Sequence, residues 1–294
     1  MTLLELLRRA TGYLEKNGST SPRLDAELLL AASLGIRRLD LYLQFERPLS
    51  EQEIAPFRAL SARRARGEPV AYLLGHKEFM TLDFEVTPAV LVPNPDTEVL
   101  VERAVTLARA LVDRGRSEVK VADVGTGSGA IAISVAHFVP EAHVWASDDD
   151  EAALEVAARN VARHELGERV ELAVGDLLAS APRDLDLILA NLPYVAPGAE
   201  LPREVLAEPP HALFADDGGA ALVNRLLADG PAHLAPGGVV LAELDDAVSG
   251  RLIPLDDYSG HELRRDLAGH VRVLEARLGS TPRNSASSVP RGPR

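Results

Sequence analysis

An alternation running from residue 119 to residue 244 constrains this chain more than any other feature. Short, mostly apolar runs of strand length stand at 119–124, 142–146, 170–174, 185–190 and 238–244. Stretches with helical spacing, at 129–138, 151–164 and 220–234, lie between most of them. Successive strand–helix units predict a parallel sheet with right-handed crossovers, and so an α/β fold. The run at 185–190 is apolar apart from Asp186 and reads as a central strand, buried on both faces. Gly230-Pro231 interrupts the last helical stretch. The segments 262–266 and 271–276 read as an antiparallel hairpin.

The first 75 residues have a different texture. Leu3, Leu7, Ala10 and Leu14 recur at a helical period that Asn17-Gly18 ends. Ser21-Pro22 starts a second helix, with Leu24, Leu28 and Leu29 on one face. Ser50 and Glu53 form a capping box for a third that runs towards Arg66. Short connections between such helices predict a small bundle. Residues 79–86 are rich in β-formers and read as a hairpin or an extended linker, followed by a helix over 97–111. The expected domains are 1–75, a hairpin or linker at 76–95, a main domain at 96–280 and a disordered tail at 281–294, rich in Gly, Ser, Pro and Arg.

Composition removes several function classes. Without cysteine there is no disulfide scaffold, thiolate–zinc site or cysteine nucleophile. The eight histidines show no zinc spacing, so no metal site is expected, and no Gly-x-Ser-x-Gly elbow marks a serine hydrolase. The charged first helix is neither a signal peptide nor a membrane span, and a cytoplasmic protein with no membrane attachment is expected. The net charge of −13 argues against stable nucleic-acid binding. Residues 76–280 carry 17 basic and 35 acidic side chains. That excess would attract a cationic small molecule, although a solvated acidic surface is the simpler explanation.

Two motifs carry chemistry. Val121-Ala122-Asp123-Val124-Gly125-Thr126-Gly127-Ser128-Gly129-Ala130 runs from a strand into a helix, where glycines permit a tight turn and close ligand approach. The helix N-terminus can receive a carboxylate. Ser147-Asp148-Asp149-Asp150 follows the second strand, and an acid there can accept hydrogen bonds from ribose hydroxyls. Alone, this pattern fits a dinucleotide as well as a methyl donor. The second motif, Asn191-Leu192-Pro193-Tyr194, follows the strand at 185–190. The Asn191 amide oxygen and the Leu192 carbonyl are two acceptors that can hold both hydrogens of a planar NH2 group. Pro193 stiffens the turn and Tyr194 supplies a flat face. Such a grip orients a poorly nucleophilic nitrogen and stabilises positive charge growing on it.

Together these residues resemble a class I S-adenosylmethionine methyltransferase of the kind that methylates amide or exocyclic amino nitrogens. The segments 21–29, 68–75, 79–98 and 265–269 are similar to the release factor glutamine methyltransferase family. This resemblance implies a Rossmann-like, mostly parallel seven-stranded sheet with an antiparallel C-terminal hairpin, plus the N-terminal helical bundle as a docking domain. It implies N5 methylation of the glutamine in a Gly-Gly-Gln motif of peptide chain release factors, with S-adenosyl-L-methionine as cofactor; a monomer is expected. Gly125, Thr126, Gly127, Ser128 and Gly129 would form the cofactor loop. Asp148 would bind ribose, Asp176 and Leu177 would lie against adenine, and Asn191 would touch cofactor and substrate. Asn191, Leu192, Pro193 and Tyr194 would hold the glutamine amide.

Four positions depart from the family pattern: Leu192 for Pro, Asn94 for Arg, Leu177 for an aromatic and Asp245 for Gly. They leave open an amino-methyltransferase acting on another protein, a nucleic-acid base or a small molecule, or a weak S-adenosylmethionine-binding paralogue.

Overall fold

The computed structural model describes residues 1–266 and 268–280, and the tail expected at 281–294 lies outside them. The chain divides into two compact units, Met1–Pro93 with Gly198–Leu213, and Asn94–Pro197 with the chain from Phe214 onwards.

The first unit contains α1 (Leu3–Lys16), α2 (Pro22–Leu34), α3 (Glu51–Arg64), α4 (Val70–Leu74) and the hairpin β1 (His76–Phe79) and β2 (Leu82–Glu85); the short helix α8 (Pro210–Leu213) joins it from later in the chain. Capping boxes start α1 (Thr2 with Glu5) and α3 (Ser50 with Glu53). Leu3, Leu7, Leu14, Leu29, Leu30 and Phe57 share the core. On α2 the buried apolar positions are Ala26, Leu29, Leu30 and Ala31, and Leu24, expected on the inner face, is 40% exposed. Asp25 and Glu27 occupy the inner surface as well. Each is neutralised there, Asp25 by Arg64 Nε at 2.6 Å and Glu27 by Arg23 Nε at 2.5 Å with the Tyr42 hydroxyl at 2.7 Å. Buried carboxylates need such partners, and pairing α2 with Arg64 of α3 rotates the helix away from the leucine stripe. Residues 198–213 are held by Glu204 on Arg64 and by the Glu208 carboxylate, which accepts the Val92 N–H at 2.8 Å.

The second unit is a seven-stranded sheet in the order β5-β4-β3-β6-β7-β9-β8. Its elements are α5 (Glu98–Val112), β3 (Val119–Val124), α6 (Ala130–Phe138), β4 (Ala142–Asp148), α7 (Glu151–Arg163), β5 (Val170–Val174), β6 (Leu185–Ala190), α9 (Ala221–His233), β7 (Leu234–Glu243), α10 (Asp246–Ser249), β8 (Tyr258–Arg265) and β9 (Val271–Leu278). β3 to β7 pair in parallel, and β9 is antiparallel to both β7 and β8. All six residues of β6 are buried, as expected of a central strand. The one charge in it, Asp186, takes the Arg116 guanidinium at 2.9 Å and the Lys120 N–H at 3.0 Å.

α9 runs through Gly230-Pro231, which was expected to interrupt it. Proline at 231 cannot donate to the carbonyl four residues back. The Tyr258 hydroxyl donates to that Leu227 carbonyl instead, at 2.9 Å. A Cβ on residue 230 would stand 2.6 Å from the same hydroxyl, so the Gly-Pro pair makes room for the tyrosine that replaces its missing bond. β7 correspondingly begins at Leu234, four residues before the expected start.

The sheet order reverses between β3 and β6. From β3 the chain moves outward through β4 and β5, then returns to lay β6 on the other side of β3. Ligands of open α/β sheets bind beyond the carboxyl ends of strands at such a switch point. The pairing Val124↔Ala190 sets Gly125 and Asn191 side by side there.

Candidate active site

The glycine turn is cross-linked to its surroundings. The Thr126 N–H donates to the Ser147 carbonyl at 2.8 Å, and the Asn160 amide donates to the Ser128 carbonyl at 2.8 Å. The Gly127 N–H donates to Asp148 Oδ2 at 2.8 Å, while Asp148 Oδ1 accepts from the Asp150 N–H at 3.1 Å. Asp150, in turn, caps α7 by accepting from the Ala152 N–H. Burial raises the Asp148 carboxyl above its usual range, and the two N–H donors oppose that. Each of its oxygens keeps lone-pair capacity for a further donor.

Beneath the turn lies Asp123, wholly buried. Its Oδ2 accepts from the Thr126 hydroxyl at 2.6 Å and the Ala132 N–H at 3.1 Å, and its Oδ1 has no partner. Burial pushes this carboxyl up to about 7 against those two donors. An orphaned buried acceptor is costly, and it suits a ligand that brings its own donor. No heavy atom lies within 4 Å of where a Cβ on Gly127 would stand, so the turn is open on that side. This set of acceptors thus fits a molecule with an ammonium group and ribose hydroxyls.

The second motif packs directly on the first. A Cβ on Gly125, whose φ is +70°, would come within 2.9 Å of Leu192 Cδ2. Leu192 is buried in the core around β6 and β7, so its side chain packs and only its main chain is left for polar contact. Asn191 Nδ2 donates to the Thr97 hydroxyl at 3.0 Å. The Tyr194 hydroxyl donates to Glu243 Oε1 at 3.2 Å. Glu243 ends β7, its Oε2 has no hydrogen-bond partner, and burial pushes the carboxyl up to about 7 against the donor from Tyr194. Gly219, at φ +94°, lies against the Tyr194 carbonyl.

Asp176 follows β5 on the same rim, and its carboxylate is engaged by Arg225 at 2.7 Å. Leu177, at φ +50°, is buried, and its carbonyl accepts from the Ser147 hydroxyl at 3.4 Å. Two of the departures have structural explanations. Asn94 accepts from the Asp96 N–H and caps the helical turn Pro95–Thr97, and Asp245 accepts from the Val248 N–H at 2.8 Å and caps α10.

Thr97, Asp123, Gly219 and Glu243 are site residues that the motifs did not single out. Glu243 was visible as the lone charge of the apolar run 238–244, Asp123 as an acid inside the first motif to which no role was given, and Gly219 as half of a Gly-Gly pair. Thr97 was visible only as the start of the helix expected over 97–111, within the segment 79–98.

This sheet order, with a glycine turn after the first parallel strand and Asn-x-Pro-Tyr after the fourth, defines a class I S-adenosylmethionine-dependent methyltransferase. The comparisons agree. A model described as PrmC N-terminal domain matches residues 5–75, and one described as methyltransferase small domain matches residues 102–226. A release factor glutamine methyltransferase of Rhodopirellula baltica is 39% identical over 93% of this chain and 95% of its own length. That of Geobacter sulfurreducens is 40% identical over 95% and 97%. The catalytic domain of hMettl16 in complex with MAT2A 3′UTR hairpin 6 shares the fold, with a TM-score of 0.55 at 14% identity over 76% of this chain and 83% of that one. The chain belongs to the release factor glutamine methyltransferase family.

Proposed function

We propose that this enzyme methylates N5 of the glutamine in the Gly-Gly-Gln motif of peptide chain release factors. One observation carries the reading. Asn191 and the Leu192 carbonyl stand at the carboxyl end of β6, beside the glycine turn at the end of β3, so an amide held by one faces a donor held by the other.

In this reading, residues 125–129 cradle the methionine end of S-adenosylmethionine, with the free Asp123 Oδ1 available to its ammonium group. Asp148 takes ribose hydroxyls through its remaining lone pairs, and Asp176 and Leu177 border the adenine. S-adenosylmethionine supplies an electrophilic methyl group on a sulfonium. Asn191 Oδ1 and the Leu192 carbonyl each accept one N–H of the glutamine amide. They turn its nitrogen toward the methyl group and stabilise the positive charge that grows there as the bond forms. Tyr194 and Pro193 bound the slot. The helical unit docks the factor. The enzyme acts in the cytoplasm as a monomer, and its net −13 charge opposes stable nucleic-acid binding. Among the described residues no helix is long and apolar enough to cross a membrane.

The test is radiolabelled methyl transfer to a release factor and to its Gln→Ala variant. Label on the wild-type factor alone is expected. Label on both, or on neither while donor binding persists, overturns the assignment.

A further inference from the structure

Of the two acceptors assigned to the substrate amide, the Asn191 side chain has rotatable bonds with which to find its target. The Leu192 carbonyl has none of its own. It points wherever the planar peptide between Leu192 and Pro193 faces, so the Asn191–Tyr194 turn as a whole must be held in one rotation. A proline at 192, the residue of the family pattern, would fix φ there with its ring; leucine leaves that torsion open.

Three hydrogen bonds hold the turn instead. At its start, Asn191 Nδ2 donates to the Thr97 hydroxyl at 3.0 Å. Just past its end, the Val195 carbonyl accepts from the Ala215 N–H at 2.9 Å. Two holds at the ends of a segment leave it free to roll about the line that joins them. The third is carried out to the tip of a side chain, where the Tyr194 hydroxyl donates to Glu243 Oε1 at 3.2 Å. The sheet puts that acceptor in reach, because the pairing Ala190↔Ala242 sets Glu243 level with Asn191 on the neighbouring strand.

This third bond is hard to exchange for another. Glu243 is 5% exposed, its Oε2 has no partner, and the crevice bounded by Leu192, Tyr194, Val223 and Glu243 is too narrow for water. If Tyr194 rolled away, the carboxyl would stay buried with neither oxygen satisfied, which is costlier than the arrangement seen.

We propose that Glu243 is a positioning residue of the methyl transfer: by holding the Tyr194 hydroxyl it fixes the rotation of the Asn191–Tyr194 turn and so aims the Leu192 carbonyl at the substrate amide. The proposal rests on the amide-holding role given above to that carbonyl.

The aim matters to the rate more than to donor binding. The donor is held by the glycine turn after β3, whereas the carbonyl meets a positive charge that grows on nitrogen only as the new bond forms. Glutamine at 243 keeps an oxygen for the tyrosine hydroxyl, and leucine has none.

The experiment compares E243L, E243Q, Y194F and the double variant E243L/Y194F with wild type, reading kcat with a release factor as substrate, donor affinity by calorimetry, and thermal unfolding. We expect E243L and Y194F each to lose about tenfold in kcat, the equivalent of about 1.4 kcal/mol. The double variant should lose no more than either single one, because both remove the same bond. E243Q should retain most of kcat, and donor affinity should stay within about twofold throughout. Leucine replaces a buried, half-satisfied carboxyl, so E243L should remain folded; should it unfold, Y194F breaks the same bond and leaves Glu243 in place. Wild-type kcat in E243L or Y194F, losses that multiply in the double variant, or equal damage from E243Q and E243L overturns the proposal. N191A separates the two readings. If it loses turnover while E243L and Y194F keep theirs, only the role of Glu243 fails; if it keeps turnover itself, the amide grip fails too.

Discussion

Gly219→Ala is a sharp test of how the proposed catalytic turn is supported. An alanine Cβ at 219 would stand 1.9 Å from the Tyr194 carbonyl oxygen and 2.7 Å from its carbon, at a backbone φ of +94°. Both neighbours are main chain, so no side-chain rotation relieves the contact, and Tyr194 must move by more than 1 Å to restore an ordinary separation. The left-handed backbone costs about 1–2 kcal/mol for a residue with a Cβ. Overpacking adds about 1–3 kcal/mol, for a total on the order of 2–5 kcal/mol. Because the displaced carbonyl belongs to the Asn191–Tyr194 turn, a shift of that size should also lower kcat on the order of a hundredfold. Gly218→Ala is the control. Its Cβ at φ +62° meets only the flexible end of Arg251, at 2.8 Å, so it carries the backbone penalty and little else. Urea unfolding and kcat, measured on both variants, decide the matter. Equal effects at 218 and 219, or a Gly219→Ala enzyme with wild-type turnover, would refute the account of the turn.

Two further outcomes follow from buried charge. Asp123 carries a folded pKa pushed up to about 7 by burial, against about 3.9 for an unfolded aspartate. Between those values the folded chain binds a proton that the unfolded chain releases, so the donor-free protein loses stability as pH rises through that window. Glu243 and Glu208, each also pushed up to about 7 by burial, act with the same sign. Asp123→Asn should flatten the fall in unfolding midpoint between about pH 5 and pH 7, and an unchanged slope would contradict the assignment. In the helical unit, Arg64→Ala strands the Asp25 carboxylate with its guanidinium gone, and should destabilise by about 3–5 kcal/mol in urea unfolding. Replacing Asp25 and Arg64 together by apolar residues should recover much of that, and failure to do so would show that the pair is not the source.

The strands and the two motifs were legible because they depend on local pattern. The run at 185–190 is apolar enough to announce a central strand, and Gly125-Thr126-Gly127-Ser128-Gly129 and Asn191-Leu192-Pro193-Tyr194 are contiguous. What escaped depends on pairing across distance. Glu243 comes level with Asn191 only because β7 lies beside β6 in a register that no single segment encodes, and Thr97 and Gly219 arrive from other elements. Residues 198–213 gave no sign that Glu204 and Glu208 would tie them to the helical unit. The face of α2 was misjudged because leucine periodicity ignores charge pairing, which here places Asp25 and Glu27 inside. The hairpin begins at His76, where the expected hairpin or linker starts, and turns at Met80 and Thr81, both at positive φ without a glycine to signal it.

Leu192 divides its labour between side chain and main chain. Its isobutyl group packs against Gly125, while the carbonyl proposed to hold the substrate amide is one that any amino acid possesses. Identity at this position is therefore governed by shape, not reactivity, and a proline there would forfeit part of the contact that keeps the two halves of the site in register. A search that demanded consecutive prolines would pass over this arrangement, whereas one for a buried apolar side chain against the first turn glycine would find it.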